Sequence, residues 1–224
     1  MKVKNLHNWN LSYSRAIALQ KSLSRKVQLF ELRKQPKIVA GIDCAFSRDK
    51  KKIFACAVLL KLPDFELIET AIAKQKLTFP YIPGLLSFRE APACISAVKK
   101  LKHQPDAFLI DGQGIAHPRR LGLAAHLGLF FDKPTIGCAK SRLIGSFEEP
   151  AIEKGSFSLL KDGREVIGAV VRTRTNVKPV FVSVGNKCLL KDAIKITLDC
   201  TSRYRIPEPA RLAHQLVSTL KLKT

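Results

Sequence analysis

The sequence predicts an α/β fold built on one mixed sheet: an antiparallel three-strand meander that leads into parallel strands, with helices on the flanks. Three observations carry that expectation. A length of 224 residues suits a single domain, 1–224, with a substantial core. Between Lys37 and Lys76 lie three strand-like runs joined by short polar turns, which is how a meander reads. Ala107–Ile110 is a short, wholly apolar run, as expected of a buried strand in a parallel sheet.

In chain order, Leu11 to Lys34 spaces Ile17, Leu23, Val27 and Phe30 near the helical period among basic residues, and Pro36 closes the segment. Lys37 to Phe46 is a β-branched strand with Asp43 inside it or at its end. The polar run Ser47–Lys52 turns the chain into a strand over Ile53–Lys61. Pro63-Asp64 turns it again into Phe65–Lys76. In Phe79–Glu90, Pro80 and Pro83 stiffen a loop that presents Tyr81 and Ile82, and Gly84 permits a tight turn. Glu90 is expected to open a helix running to about Lys102, with Pro92 in its first turn. After the Ala107–Ile110 strand, Arg120–Phe131 reads as a helix with Leu121, Ala124, Ala125 and Leu127 inward. Thr135–Cys138 is a short strand ending near Lys140. Phe157–Leu160 and Glu165–Arg172 flank Asp162-Gly163 as a hairpin. Val180–Val184 adds a strand and Leu189–Leu198 a helix. The stretch Arg203 to His214 enters a terminal helix through Pro207 and Pro209, with Arg211 and His214 one turn apart on one face.

Lys and Arg outnumber Asp and Glu by 39 to 18, a formal net charge of +21. Such an excess points to a polyanionic partner, nucleic acid before membrane. The six cysteines are scattered without a C-x-x-C pair, so neither a zinc site nor a disulfide framework is supported. With no apolar signal core and no run of membrane-spanning length, a reducing, intracellular and cytoplasmic setting is the expectation.

Chemistry enters through three carboxylates. Asp111 ends a buried strand, the edge where open α/β sheets bind ligands. Gly112 and Gly114 free the backbone after it, and His117, Arg119 and Arg120 follow as candidate phosphate contacts. If the first and fourth strands lie side by side, Asp43 meets Asp111, and Glu90 can close on them from the intervening helix. Clustered carboxylates repel one another unless a divalent cation neutralises them, and an all-oxygen set favours Mg²⁺ or Mn²⁺ over zinc. Lys140 falls on the same edge and could stabilise developing negative charge, while His214 could hold or activate water. A metal-dependent nuclease fits these pieces.

Gly41-Ile-Asp43, Pro80-Tyr-Ile-Pro-Gly84 running on to Phe88-Arg-Glu90, the block Asp111 to Arg119, Gly137-Cys-Ala-Lys140 and Tyr204-Arg-Ile-Pro-Glu-Pro209 together resemble endonuclease V, from Val39 to His214 and in the family's order. The resemblance implies a ribonuclease H-like fold and Mg²⁺-dependent nicking of strands with deoxyinosine, at the second phosphodiester on its 3′ side. It extends to inosine in RNA. It further implies metal ligation by Asp43 and Asp111 with Glu90 completing the acidic site, assistance from Lys140 and His214, and a wedge at Tyr81, Ile82 and Pro83. His214 departs from members with Asp at that position. Backbone groups around Gly84 and Gly112 would read the extruded base, and the protein would act as a monomer. Two alternatives stay open from the residues: another ribonuclease H-like nuclease that cleaves hybrids or junctions, and a non-catalytic nucleic-acid-binding module.

Overall fold

In the computed structural model, which describes residues 1–222, eight strands form one sheet. They are β1 (Ile38–Phe46), β2 (Lys52–Lys61), β3 (Glu66–Lys76), β4 (Ala107–Ile110), β5 (Thr135–Ala139), β6 (Phe157–Asp162), β7 (Glu165–Val171) and β8 (Val180–Asn186). The helices are α1 (Tyr13–Ser24), α2 (Leu86–Lys99), α3 (Leu123–Phe131), α4 (Leu190–Asp199) and α5 (Glu208–Leu222). The strand order β3-β2-β1-β4-β5-β8-β7-β6 contains the expected ribonuclease H-like arrangement: an antiparallel meander, then β1, β4 and β5 in parallel. A second antiparallel run, β8-β7-β6, extends the far side.

Strand β2 shows how the sequence builds two cores at once. Ile53 to Leu60 is an unbroken apolar run, buried throughout. Its period of two sends Ile53, Ala55, Ala57 and Leu59 toward α2 and α3, and Phe54, Cys56, Val58 and Leu60 toward Ala213 and Val217 of α5. The same alternation on β4 places Phe108 and Ile110 in the α2/α3 layer and Leu109 in the opposite core, which α4 also covers. Helices therefore cover both faces, and the strand ends between the two layers are left for chemistry.

Three helix boundaries differ from expectation, each for a tertiary reason. Helix α1 stops at Ser24, so Val27 and Phe30 lie outside it, although the basic periodicity runs on. Beyond Ser24 the backbone finds partners elsewhere. Gln28 N donates to Asn186 Oδ1 (2.9 Å), Gln28 O accepts from Lys187 N (2.7 Å), and Leu32 N donates to Asp192 Oδ2 (3.3 Å). Helix α2 starts at Leu86, four residues before Glu90, and carries Pro92 in its interior. Helix α3 starts at Leu123, because Arg120 has a left-handed backbone (φ 54°) incompatible with a helix. All six cysteines are free, five of them buried. No helix among the described residues is long and apolar enough to cross a membrane.

Candidate active site

The register of β1 on β4 creates the centre of the site. Ile42 pairs with Ile110, and Asp111 N donates to Ile42 O (3.1 Å), so the next residue on each strand, Asp43 and Asp111, comes out at the same end of the sheet. Helix α5 then reaches Asp43 because Gly41 lets it. A Cβ on Gly41 would lie 1.9 Å from Pro209 O, so only a residue without a side chain allows the first turn of α5 to lie on β1. One turn and a half later, His214 Nδ1 meets Asp43 Oδ2 at 2.6 Å. With Asp43 ionised, a carboxylate can only accept, so Nδ1 carries the proton of this bond. On the other flank Lys140, just beyond β5, sets its ammonium 2.5 Å from Asp111 Oδ2.

Asp43, Asp111 and His214 each offer a ligand atom, and these atoms all lie within 4.8 Å of one another. That spacing suits one small cation. The electrostatics point the same way: burial, and next the charge of Asp111, raise the pKa of Asp43, opposed by the bonds from His214 and from Cys44 N (2.8 Å). A cation between the carboxylates would remove this repulsion. Two carboxylates and an imidazole can hold a divalent cation, the nitrogen departing from the all-oxygen set expected.

Glu90 lies on the helix between β3 and β4, close enough to feel the charges of Asp43 and Asp111. It projects from α2, in the opposite helical layer, and does not belong to the group of close ligand atoms. It is 8% exposed, and its pKa is pushed up to about 8, by burial first and then by the charges of Asp43 and Asp111. The Cys44 thiol, from the strand position next to Asp43, donates to it and partly offsets that rise. With no cation bound, Glu90 is therefore a protonated acid at neutral pH, lying behind the partly buried Asp43 and Asp111.

The Tyr81 loop is held from below by one carbonyl. Gly84 turns with φ 77°, and its C=O accepts from Gln20 Nε2 (3.0 Å), His117 Nε2 (3.1 Å) and Arg119 Nη2 (2.7 Å). His117 Nδ1 accepts from Arg119 N (3.1 Å), so Nε2 holds the ring proton. Gln20 Oε1 accepts from Arg119 Nε, and Gln20 Nε2 also donates to Leu121 O (2.8 Å). His117 is buried, and desolvation followed by the Arg119 charge lowers its pKa to about 4, so it is neutral. The three basic residues expected beyond β4 all have partners within the protein. His117 and Arg119 support the loop, and Arg120 is paired with Glu165 (2.6 Å) and Asp162 (2.8 Å). Nothing local to Gln20, a neutral residue on a basic helix, signals its part in this clamp.

Above the clamp Tyr81 is 70% exposed. Ile82 and Pro83 turn down beside it, and with Gly84, Gly112 and Gln113 they line a cavity of about 170 Å³. Exposed Leu86 and Leu143 add to its wall. The cavity is apolar, backed by backbone polar groups, and adjoins Asp111 through Gly112.

A family model described as endonuclease V matches residues 21–215. The endonuclease V of Methanothrix thermoacetophila is 50% identical over 216 residues, covering 96% of this chain and 95% of its own. The structure of the Bacillus subtilis protein superposes with a TM-score of 0.95 at 33% identity, covering 100% of this chain and 98% of that one. Ciona intestinalis endonuclease V, solved with a 24mer DNA containing an inosine followed by a ribo-adenosine, gives a TM-score of 0.80 at 32% identity over 92% of this chain and 96% of that one.

Proposed function

The chain belongs to the endonuclease V family, and from that premise we propose that it nicks strands containing deoxyinosine in DNA, and inosine in RNA, at the second phosphodiester 3′ to the lesion. One observation carries the reading: the β1–β4 register and Gly41 converge Asp43, Asp111 and His214 within 4.8 Å, next to an apolar cavity capped by Tyr81. The Ciona complex with inosine-containing DNA supports the substrate class.

Asp43 and Asp111 would hold Mg²⁺, with Mn²⁺ as a substitute. When bound, such an ion neutralises the carboxylates, favours an activated water and offsets charge on the phosphodiester. The protein's own groups do the rest. Asp111 keeps Lys140 in place, with its ammonium poised for the charge that grows on the phosphate oxygens. Asp43 holds His214 in the tautomer whose Nε2 can accept a proton from water. Glu90, held neutral by burial and by the charges of Asp43 and Asp111, would complete the acidic site.

Tyr81, Ile82 and Pro83 form the wedge that fills the vacated stack, and the extruded base enters the cavity beside it. Backbone groups of Gly84 and Gly112 read the edge of hypoxanthine, and the 2-amino group of guanine clashes there. Hypoxanthine also pairs less strongly than guanine, so its extrusion costs less. A net charge of +21 draws the polyanion in. We further assign residues 1–224 to one catalytic domain acting as a monomer in the cytoplasm, a setting the six free cysteines support.

A cleavage assay on matched DNA and RNA strands with a single inosine, with Mg²⁺ and with chelator, tests the reading, and mapping the cut fixes its position. Nicking two phosphodiesters beyond inosine, lost on chelation, is expected. Preference for a plain hybrid or a four-way junction, or equal cleavage at deoxyguanosine, would overturn it.

A further inference from the structure

The loop between α4 and α5 carries Tyr204-Arg-Ile-Pro207 and leads into Glu208-Pro209 of α5, and its aromatic ring has no role in the chemistry above. Tyr204 is 42% exposed, between two arginines. The guanidinium of Arg211 lies over the ring, 4.2 Å from its centroid. Arg211 is itself fixed, donating from Nε (2.8 Å) and Nη2 (2.5 Å) to Glu208 Oε2 and from Nη1 to Gln215 Oε1 (2.9 Å). Arg203 stands farther away, at 5.5 Å, and among the described residues it forms no ion pair. The loop is tied to the site: Arg205 Nη2 donates to Lys140 O (2.7 Å) and to Pro179 O (2.7 Å). Arg211 also lies one turn before His214 on the same helix.

The two helical layers give this ring a direction. The Tyr81 cavity is built from α2, α3 and the loop between β4 and α3, so it opens in one layer. Tyr204 lies between α4 and α5, in the other. The Asp43–Asp111 pair stands at the strand ends between them. A strand with its lesion in the cavity must cross the sheet's end past the acid pair and arrive on the α4/α5 side. Because the cut lies 3′ to the lesion, what arrives is the segment 3′ to the scissile bond.

We propose that Tyr204 and Arg203 form a second nucleic-acid subsite, a stacking platform for the first nucleotides of a single strand 3′ to the cut; this rests on the reading of the lesion cavity given above. The ring is 42% exposed and Arg203 is an exposed side chain without an ion pair among the described residues, so a base could stack there with the Arg203 charge beside the strand's phosphates. Aromatic stacking tolerates any base, which suits a segment whose sequence the enzyme has no reason to select.

The test combines substrate trimming with substitution. Inosine-bearing strands are compared with a long 3′ arm and with an arm ending one nucleotide beyond the cut. For the wild type, trimming should raise KM about five- to a hundredfold, the range for loss of a stacked base. Tyr204→Ala should raise KM on the long arm and be insensitive to trimming, while Tyr204→Phe keeps the wild-type pattern. Equal sensitivity to trimming in Tyr204→Ala and wild type would overturn the platform. Direct binding of a 5′-phosphorylated single strand without inosine, in chelator, gives a readout independent of nicking. Arg203→Ala, at an exposed position, should weaken it and flatten its salt dependence even if Tyr204→Ala does not fold; unchanged binding by Arg203→Ala would count against the subsite. A wild type that cleaves inosine strands regardless of arm length removes the platform alone, whereas one that never cleaves them removes the cavity reading with it.

Discussion

Glu90→Gln isolates the cost of the buried acid beside Asp43 and Asp111. In the folded protein the pKa of Glu90 is pushed from 4.5 up to about 8, first by burial and then by the charge of Asp43. The folded state thus binds this proton more tightly than the unfolded chain. Its contribution to stability is full below the unfolded value and is lost as the pH rises toward about 8. At about 1.4 kcal/mol per pKa unit, the loss between about pH 5 and pH 8 amounts to about 3 kcal/mol. For a chain of this size that is roughly 6–12 °C in Tm. Glutamine fills nearly the same volume and does not ionise, so the variant lacks this slope. Melting curves of chelator-treated wild type and variant across that range should diverge, with the wild type losing about 3 kcal/mol more. Parallel pH profiles would refute the assignment of Glu90 as a neutral acid.

Asp43→Asn or Asp111→Asn should reduce nicking by at least about a hundredfold while leaving strand binding nearly intact, because each removes a charge that the cation and its opposing base need; gel-shift and cleavage assays on one preparation separate the two effects. Tyr81→Ala should weaken binding to inosine-bearing strands more than to plain ones, and an equal loss on both would reduce Tyr81 to a structural role. Arg119→Ala leaves the Gly84 carbonyl and Gln20 short of donors, at a cost of about 1–3 kcal/mol, and should raise KM for inosine strands with little change in salt dependence. Gly41→Ala forces a Cβ to within 1.9 Å of Pro209 O, so α5 must retreat. A stability loss of about 1–3 kcal/mol should accompany a fall in kcat, since His214 withdraws from Asp43.

The parts legible from the sequence were those written in local patterns that add up. Asp43 and Asp111 end strands whose adjacency follows from a meander feeding into parallel strands, so their meeting could be expected. Lys140 was placed by the same rule of strand ends. The start of α2 is not legible, because Pro92 normally marks a first turn. Here the chain leaves the Gly84 turn already helical, and the proline falls mid-helix, carrying Glu90 inward. His117 and Arg119 looked like surface charges after a strand, since the carbonyl that engages them comes from a loop more than thirty residues earlier. Helix α1 was read too long because amphipathic spacing cannot report that Gln28 and Leu32 have backbone partners near α4.

The backbone pairing that joins β1 to β4 has a thermal corollary. Central strands let go only when the whole molecule does, whereas a tip carried on a connecting segment loosens sooner. Near its melting point the protein should therefore lose its grip on inosine, and with it its selectivity, before it loses its ability to hydrolyse phosphodiesters.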